Sequence, residues 1–134
     1  EGVRRCPRRF GIVSQGLVVA GNEICTHLLA MSFECVICDE SHRARRKKID
    51  RNNLTAKPEY NNLAAFLAQI STRTKSMLLA TATPVQLHPI EAWDLLAILS
   101  AGNDAVLGND WSEWRKPMTL FIGRRFDIKN PWMI

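Results

Sequence analysis

Apolar runs that end abruptly in polar side chains constrain the fold of this chain most. Phe33–Cys38 is one such run, and it is followed directly by Asp39, Glu40, Ser41 and His42. A second run, residues 77–80, is followed by Thr81, Ala82, Thr83 and Pro84. Ligands of open parallel sheets bind at the carboxyl ends of the strands. Two such strands would aim these carboxylates and hydroxyls at one crevice, which suits a metal-bound nucleoside triphosphate.

The remaining pattern alternates strands with helices. We predict strands at residues 10–14, 33–38 and 77–80, with the second buried on both faces because it is nearly all apolar. A helix is predicted at residues 22–30. Another should begin near Pro58, with an apolar stripe at spacings of three and four residues: Leu63, Phe66, Leu67 and Ile70. Pro89 should open a last helix that stops before Gly102. This order predicts an α/β fold with a parallel sheet flanked by helices.

Length and composition favour one domain over residues 1–134. The periodic core covers roughly residues 10–102, and residues 103–134 form a tail without a clear period. The chain is 46% hydrophobic and 23% charged, which is typical of a globular domain. No apolar run approaches the roughly 20 residues of a membrane span, so we expect no membrane partner.

The polar motifs resemble those of the first motor lobe of superfamily-two helicases and translocases, most closely the Swi/Snf-like DNA translocases. Residues 39–42 are similar to the DExH box, which is the Walker B motif, and residues 79–86 to motif III. Residues 89–96 are similar to the Glu-Leu-Trp-x-Leu helix of that branch, and residues 11–15 lie where motif Ib would fall. The resemblance covers residues 10–100 and implies part of a RecA-like lobe.

The resemblance assigns roles to the acidic motif. Asp39 would hold Mg²⁺ through a coordinated water, since Mg²⁺ favours one or two carboxylates together with phosphate oxygens. Glu40 would orient the water that attacks the γ-phosphate of ATP. His42 would link the nucleotide site to motif III by hydrogen bonds. Ser41 stands where Ala or Gly is commoner.

Motif III is implied to couple ATP hydrolysis to movement along DNA. Its residues in this chain are Thr81, Ala82, Thr83 and Gln86. Leu87 departs from the pattern, because Asn is usual at that position.

A phosphate-binding loop is missing from the sequence. None of the seven glycines is followed by Lys, so there is no G-x-x-x-x-G-K-[ST] motif. We therefore expect the chain to be a fragment of a motor that lacks the second lobe, and to be inactive alone. ATP and Mg²⁺ would serve the parent protein, with neither bound tightly here. A truncated sheet leaves an apolar edge, which favours a homodimer.

Basic residues favour a polyanionic partner. The net charge is +5 and the pI about 9.3, which attracts DNA or RNA. Five cations suited to phosphate contacts follow the acidic motif: Arg43, Arg45, Arg46, Lys47 and Lys48. Ser14 and Gln15 are further candidates for contacts to a nucleic-acid backbone. A solvated loop and an ordinary turn explain the same residues equally well.

Four cysteines, Cys6, Cys25, Cys35 and Cys38, indicate the compartment. Cys35 and Cys38 would point to opposite faces of a strand and could not chelate one ion. Buried, reduced thiols are expected, which is typical of intracellular proteins.

Two other functions remain open from the sequence. One is a non-enzymatic nucleic-acid-binding module that keeps the fold of the lobe. The other is an unrelated metal-dependent hydrolase using Asp39, Glu40 and His42, which is disfavoured because neighbouring residues on one loop seldom converge on an ion.

Overall fold

Two parallel strands and four α-helices make up the part of the chain that the computed structural model describes, residues 10–21, 23–49 and 57–107. The fold is mixed α/β. In chain order the elements are α1 (Gln15–Val19), α2 (Glu23–Leu29), β1 (Phe33–Cys38), a 3₁₀ turn (Ser41–Arg43), α3 (Asn62–Ser71), β2 (Thr74–Leu79) and α4 (Ile90–Ser100).

The sheet pairs β1 with β2 in parallel, from Phe33 beside Thr74 to Cys38 beside Leu79. The predicted parallel sheet is thus confirmed for these two strands. β1 has the predicted bounds, and β2 begins three residues before the predicted start at Met77. Because both strands run in one direction, the segments after Cys38 and Leu79 leave the sheet at the same edge.

The strand predicted at residues 10–14 is wrong, because these residues form no regular element and α1 begins directly after them. The side chain of Ser14 accepts a hydrogen bond from Gly16 N at 3.2 Å, which favours the start of a helix. Phe10 and Ile12 are 84% and 102% exposed. Within the described ranges no third strand is available to pair with them.

Burial of β1 on both faces is also wrong. Val36 and Cys38 pack into the main core, whereas Cys35 is exposed and Ile37 is 67% exposed. Leu78 lies beside Ile37 in the register and is 55% exposed. The described helices therefore cover one face of the sheet, and side chains alternate between that face and solvent.

The α3 helix buries the predicted stripe, Leu63, Phe66, Leu67 and Ile70. It starts at Asn62, four residues after Pro58, so the prediction that Pro58 opens it is wrong. Asn61 fixes the start, because its side chain accepts a hydrogen bond from Ala64 N at 2.9 Å. Tyr60, just before this cap, forms an antiparallel bridge with Arg46.

The α4 helix follows Pro89 and ends before Gly102, as predicted. Ile90 and Trp93 form a second cluster with Leu107, while Leu95 and Ile98 join the main core. Trp93, at 9% exposed, is a core residue. Most of the predicted tail, residues 108–134, lies outside the described ranges. None of the helices in the described ranges has the length and apolar content needed to cross a bilayer.

The cysteines separate as expected on β1. Cys35 is exposed and Cys38 is buried, on opposite faces, and Cys25 is half-buried; all three thiols are free. The prediction of burial is therefore wrong for Cys35, because its strand face has no cover among the described residues. Cys6 lies outside those residues.

Candidate functional site

The acidic turn, residues 39–42, changes the chain direction immediately after β1. Glu40 adopts a left-handed conformation (φ 48°, ψ 43°), which is uncommon for a residue with a side chain. Its backbone N donates a hydrogen bond to Asp39 Oδ1 at 2.9 Å. Both side chains are exposed. The turn thus presents two adjacent carboxylates to solvent at the carboxyl edge of the sheet.

The acidic turn is tied to the residues that follow β2. Ala80 N donates to Cys38 O, and Ser41 N donates to Ala80 O, both at 2.9 Å. These bonds extend the pairing of the two strands beyond their ends. Ser41 is fully buried beneath the turn, and its Oγ has no hydrogen-bond partner among the described residues.

His42 makes the side-chain contact between the two predicted motifs. Its Nδ1 lies 3.0 Å from Thr81 Oγ1 and 3.2 Å from Glu40 Oε2. Both contacts use the same ring nitrogen, so a hydrogen on Nδ1 can be donated to the Glu40 carboxylate or to the Thr81 hydroxyl, and without that hydrogen Nδ1 can accept from Thr81. The role of His42 in nucleotide hydrolysis stays a prediction.

The rest of the Thr-Ala-Thr segment is ordered by Thr81. Thr83 N donates to Thr81 Oγ1 at 3.1 Å, and Gln86 Nε2 donates to Thr83 Oγ1 at 3.4 Å. Ala82 is exposed between the two threonines. The four predicted coupling residues therefore form one continuous turn beside His42.

Gln15 faces the acidic turn instead of solvent. Its amide nitrogen donates to the carbonyl oxygen of Asp39 and contacts Cys38 Sγ at 3.7 Å. The amide oxygen is buried without a hydrogen-bond partner among the described residues. The amide nitrogen is thus engaged with the acidic turn, and the expected contact of Gln15 with a nucleic-acid backbone stays a prediction. Ser14 stays exposed, with its hydroxyl oxygen capping α1.

Burial raises the pKa of the Cys38 thiol, which outweighs the hydrogen bond from Gln15, and the nearby charge of Asp39 acts in the same direction as burial. The thiol therefore stays protonated and behaves as a packing residue rather than a nucleophile.

Arg46 separates from the other cations of the basic segment. It is 8% exposed, and its Nε and Nη2 donate to Asp94 Oδ2 and Oδ1 at 2.8 and 2.6 Å. The hydrogen bond to Asp94, itself fully buried, raises the pKa of the Arg46 guanidinium. Two of its donor atoms are thus used inside the fold, and the expected contact of Arg46 with nucleic acid stays a prediction. The remaining four cations are exposed: Arg43, Arg45, Lys47 and Lys48.

Asp94 was missed from the sequence, although a signal was present. It follows Trp93 in a helix whose neighbouring positions are mostly apolar, and a charge buried there requires a partner.

A cleft of about 570 Å³ opens beside the basic segment. Arg45 and Lys47 border it from an extended stretch, which is held by bonds from Lys47 N to Glu59 O and from Asn61 N to Arg45 O. The other lining residues are Arg46, Ile49, Asn61, Leu87, His88 and Glu91. No residue of the acidic turn lines this cleft. Asn61, His88 and Glu91 were missed as cleft residues, because no local pattern marks them.

Glu91 holds the loop on the far side of the cleft. Its Oε2 accepts hydrogen bonds from the backbone N of Gln86, Leu87 and His88 at 2.7, 2.9 and 3.5 Å. Burial alone would raise the pKa of this carboxyl, but these bonds and the charge of Arg45 outweigh it and lower the pKa. The side chain of Leu87 in this loop is 74% exposed.

No group of three or more His, Cys, Asp or Glu side chains in the described part of the chain is arranged to hold a metal ion. Mg²⁺ bound with a nucleotide needs only one or two protein carboxylates. The binding of Mg²⁺ by Asp39 stays a prediction.

Comparisons with protein families, with curated proteins and with solved structures give no match to this chain.

Proposed function

We propose that this chain is a segment of an ATP-dependent DNA helicase or translocase, part of a RecA-like lobe that carries the hydrolytic and coupling motifs. The supporting observation is the contact between His42 Nδ1 and Thr81 Oγ1 at 3.0 Å. It joins an acidic strand-end motif to a hydroxyl-rich one, 39 residues apart, at one edge of a parallel sheet. That edge is where α/β proteins bind ligands.

In this proposal Asp39 binds Mg²⁺ through water, and Glu40 orients the water that attacks ATP. The left-handed backbone of Glu40 supports a functional role, since strained conformations persist where the surrounding structure enforces them, often at active sites. His42 and Thr81 then carry the state of the nucleotide site to Thr83 and the following turn.

The parent protein would supply the phosphate-binding loop and the second lobe. It would move along DNA, with RNA as the alternative nucleic acid. The free thiols agree with an intracellular location. Pairing of the exposed face or edge of the sheet with a second copy would give a homodimer.

Sequencing the coding DNA on both sides of this segment is the first test. An upstream frame with G-x-x-x-x-G-K-[ST] after a strand supports the proposal. The parent protein is then expressed with Glu40→Gln, which should slow DNA-stimulated ATP hydrolysis by about 100-fold or more while ATP still binds. Glu34→Gln is the matched control, because Glu34 is exposed and pairs with Lys75 at the other end of β1.

The isolated 134-residue chain should release no phosphate from ATP in the presence of DNA. Robust release that Glu40→Gln abolishes would contradict the view that this segment lacks part of its nucleotide site.

A nucleic-acid-binding module without enzymatic activity is the second candidate, and the four exposed cations at residues 43–48 favour it. Affinity for duplex DNA should then fall with salt, with a slope of about −0.9 in log K per phosphate contact. Replacing Arg43 and Lys48 with Gln should flatten that slope by about two contacts. The same change at Arg73 and Lys75, two exposed cations elsewhere, should have a smaller effect. Absence of binding at low salt would dismiss this function.

A further inference from the structure

The cleft beside the basic segment contains an unbonded cation. The guanidinium of Arg45 is exposed and makes no hydrogen bond to any described residue, in contrast to the paired Arg46 beside it. Lys47 adds a second cation, and among the described residues its side chain binds Glu59 alone, at 2.7 Å, in a pair whose side chains are 48% and 70% exposed. Such exposed pairs are weak, so Lys47 can turn to another anion at little cost.

His88 adds a neutral donor on the opposite wall. Ile90 N donates a hydrogen bond to His88 Nδ1 at 3.1 Å, so Nδ1 carries no hydrogen. In the neutral imidazole the hydrogen then lies on Nε2. Nε2 has no acceptor among the described residues, and the half-buried ring can donate to a ligand.

Among the described residues, most acceptors around the cleft are already occupied, and Glu91 Oε1 is the exception. Glu91 Oε2 accepts three backbone N–H groups, whereas its Oε1 accepts none from the described residues. The carboxylate of Asp94 binds Arg46. Asn61 uses its side-chain oxygen to cap α3 and its nitrogen to bind Arg43 O at 2.7 Å. The donors of Arg45, Lys47 and His88 therefore outnumber the free acceptors in the cleft. This favours a ligand that supplies acceptor oxygens, and charged acceptors make the strongest hydrogen bonds.

The cleft also has an apolar side. Ile49 is half-buried and Leu87 is 74% exposed, and both line it. A volume of about 570 Å³ accommodates one nucleotide unit, with its phosphate at the cations and its ring against the apolar side chains.

We propose that this cleft is a phosphate-binding site, in which Arg45 binds the oxyanion and Lys47 and His88 assist. The phosphate belongs either to a free nucleotide or to a nucleic-acid backbone. This site is separate from the acidic turn, and binding there requires no ATP hydrolysis.

The test is a titration of the full ¹⁵N-labelled chain with inorganic phosphate, observed by NMR. Saturable shifts are expected at the Arg45 and His88 side chains and at the amide of Leu87. Arg45→Gln should weaken phosphate binding by about tenfold or more, because a hydrogen bond to a charged group is lost. Arg73→Gln is the matched control: it removes the same charge from an exposed arginine outside the cleft. Its effect should stay below about twofold, as expected for a screened surface charge.

Two results would overturn the proposal. One is the absence of saturable shifts at the cleft. The other is an equal loss of phosphate affinity in Arg45→Gln and Arg73→Gln, which would show that phosphate is attracted to the net positive charge and not to this cleft. Arg45→Lys separates geometry from charge, since Lys keeps the charge without the planar fork and should bind more weakly than the wild type.

The source of the phosphate is determined with two further probes. Adenosine monophosphate tests a free nucleotide, and a short thymidine oligonucleotide without terminal phosphates tests the backbone diester. Cleft shifts with only one probe identify that source, and shifts with neither would overturn the proposal. Because the readout is binding at Arg45, a failure of the ATPase proposal leaves this result unchanged.

Discussion

Arg46 and Asp94, 48 positions apart in the chain, are joined by two hydrogen bonds inside the fold. The pair links the basic segment, which follows the acidic turn, to helix α4. The paired side chains are only 6% and 1% exposed. If one partner is lost, water therefore cannot reach the remaining charge to solvate it.

Arg46→Leu should lower the free energy of unfolding by about 3–5 kcal/mol, because it leaves Asp94 buried and unpaired. Chemical denaturation measures this. Arg43→Leu, in the same segment but exposed, should change stability by less than about 0.5 kcal/mol. Combining Arg46→Met with Asp94→Leu should restore much of the loss, since no charge then remains buried. Equal effects of Arg46→Leu and Arg43→Leu would show that the ion pair does not stabilise the fold.

The left-handed backbone of Glu40 predicts a difference between two substitutions. Glu40→Gly should unfold with a free energy about 1 kcal/mol higher than Glu40→Ala, because Gly tolerates positive φ and Ala does not. Both variants lack the carboxylate, so their comparison isolates the conformation. At Asp39, where φ is not positive, the Gly variant should be the less stable of the two. The same order at both positions would contradict the assigned geometry.

Ser41 carries a hydroxyl without a partner in the described structure. Ser41→Ala should raise the free energy of unfolding by about 1 kcal/mol, because it removes an unsatisfied buried group. Ser71→Ala is the control: Ser71 is also buried, but its Oγ donates to Ala68 O at 2.9 Å, so its loss should be neutral or destabilising. Loss of stability on Ser41→Ala would indicate that the hydroxyl has a partner.

Glu91 predicts a dependence of stability on pH. Its pKa is lower in the folded chain than in the unfolded chain, so its contribution is full above the unfolded value and is lost as pH falls through the folded one. At neutral pH, Glu91→Gln should cost about 1–3 kcal/mol through weaker bonds to the loop. Thermal unfolding between neutral and acidic pH should show the two proteins converging. A constant difference would mean that the charge of Glu91 is unimportant.

Gly102 allows α4 to end against α3. A Cβ at this position would lie 2.3 Å from the carbonyl oxygen of Ser71, so Gly102→Ala should destabilise the fold by about 1–3 kcal/mol. Gly16→Ala serves as the comparison, because its nearest atom would be Ser14 Oγ at 3.5 Å. Since Ala favours helices, that variant should be neutral or more stable by up to about 1 kcal/mol. Calorimetry distinguishes the two outcomes.

Local patterns in the sequence determined the elements around the candidate site. The apolar run of β1, the stripe of α3 and the start of α4 all appear as predicted, because each depends on periodicity or on a breaker residue within a few positions. The prediction that α3 begins near Pro58 is wrong, because the N-cap at Asn61 determines where the helix starts.

Tertiary packing decided which polar groups meet. Nothing local to Gln15 shows that it binds the acidic turn, and nothing local to Arg46 separates it from the exposed Arg45. The choice depends on Asp94, whose position is fixed only when α4 packs. Likewise, the run in β1 predicted burial of both faces, but helices cover one, so Ile37 stays exposed. Periodicity is a property of neighbouring residues, whereas burial and ion pairing depend on segments that only folding brings together.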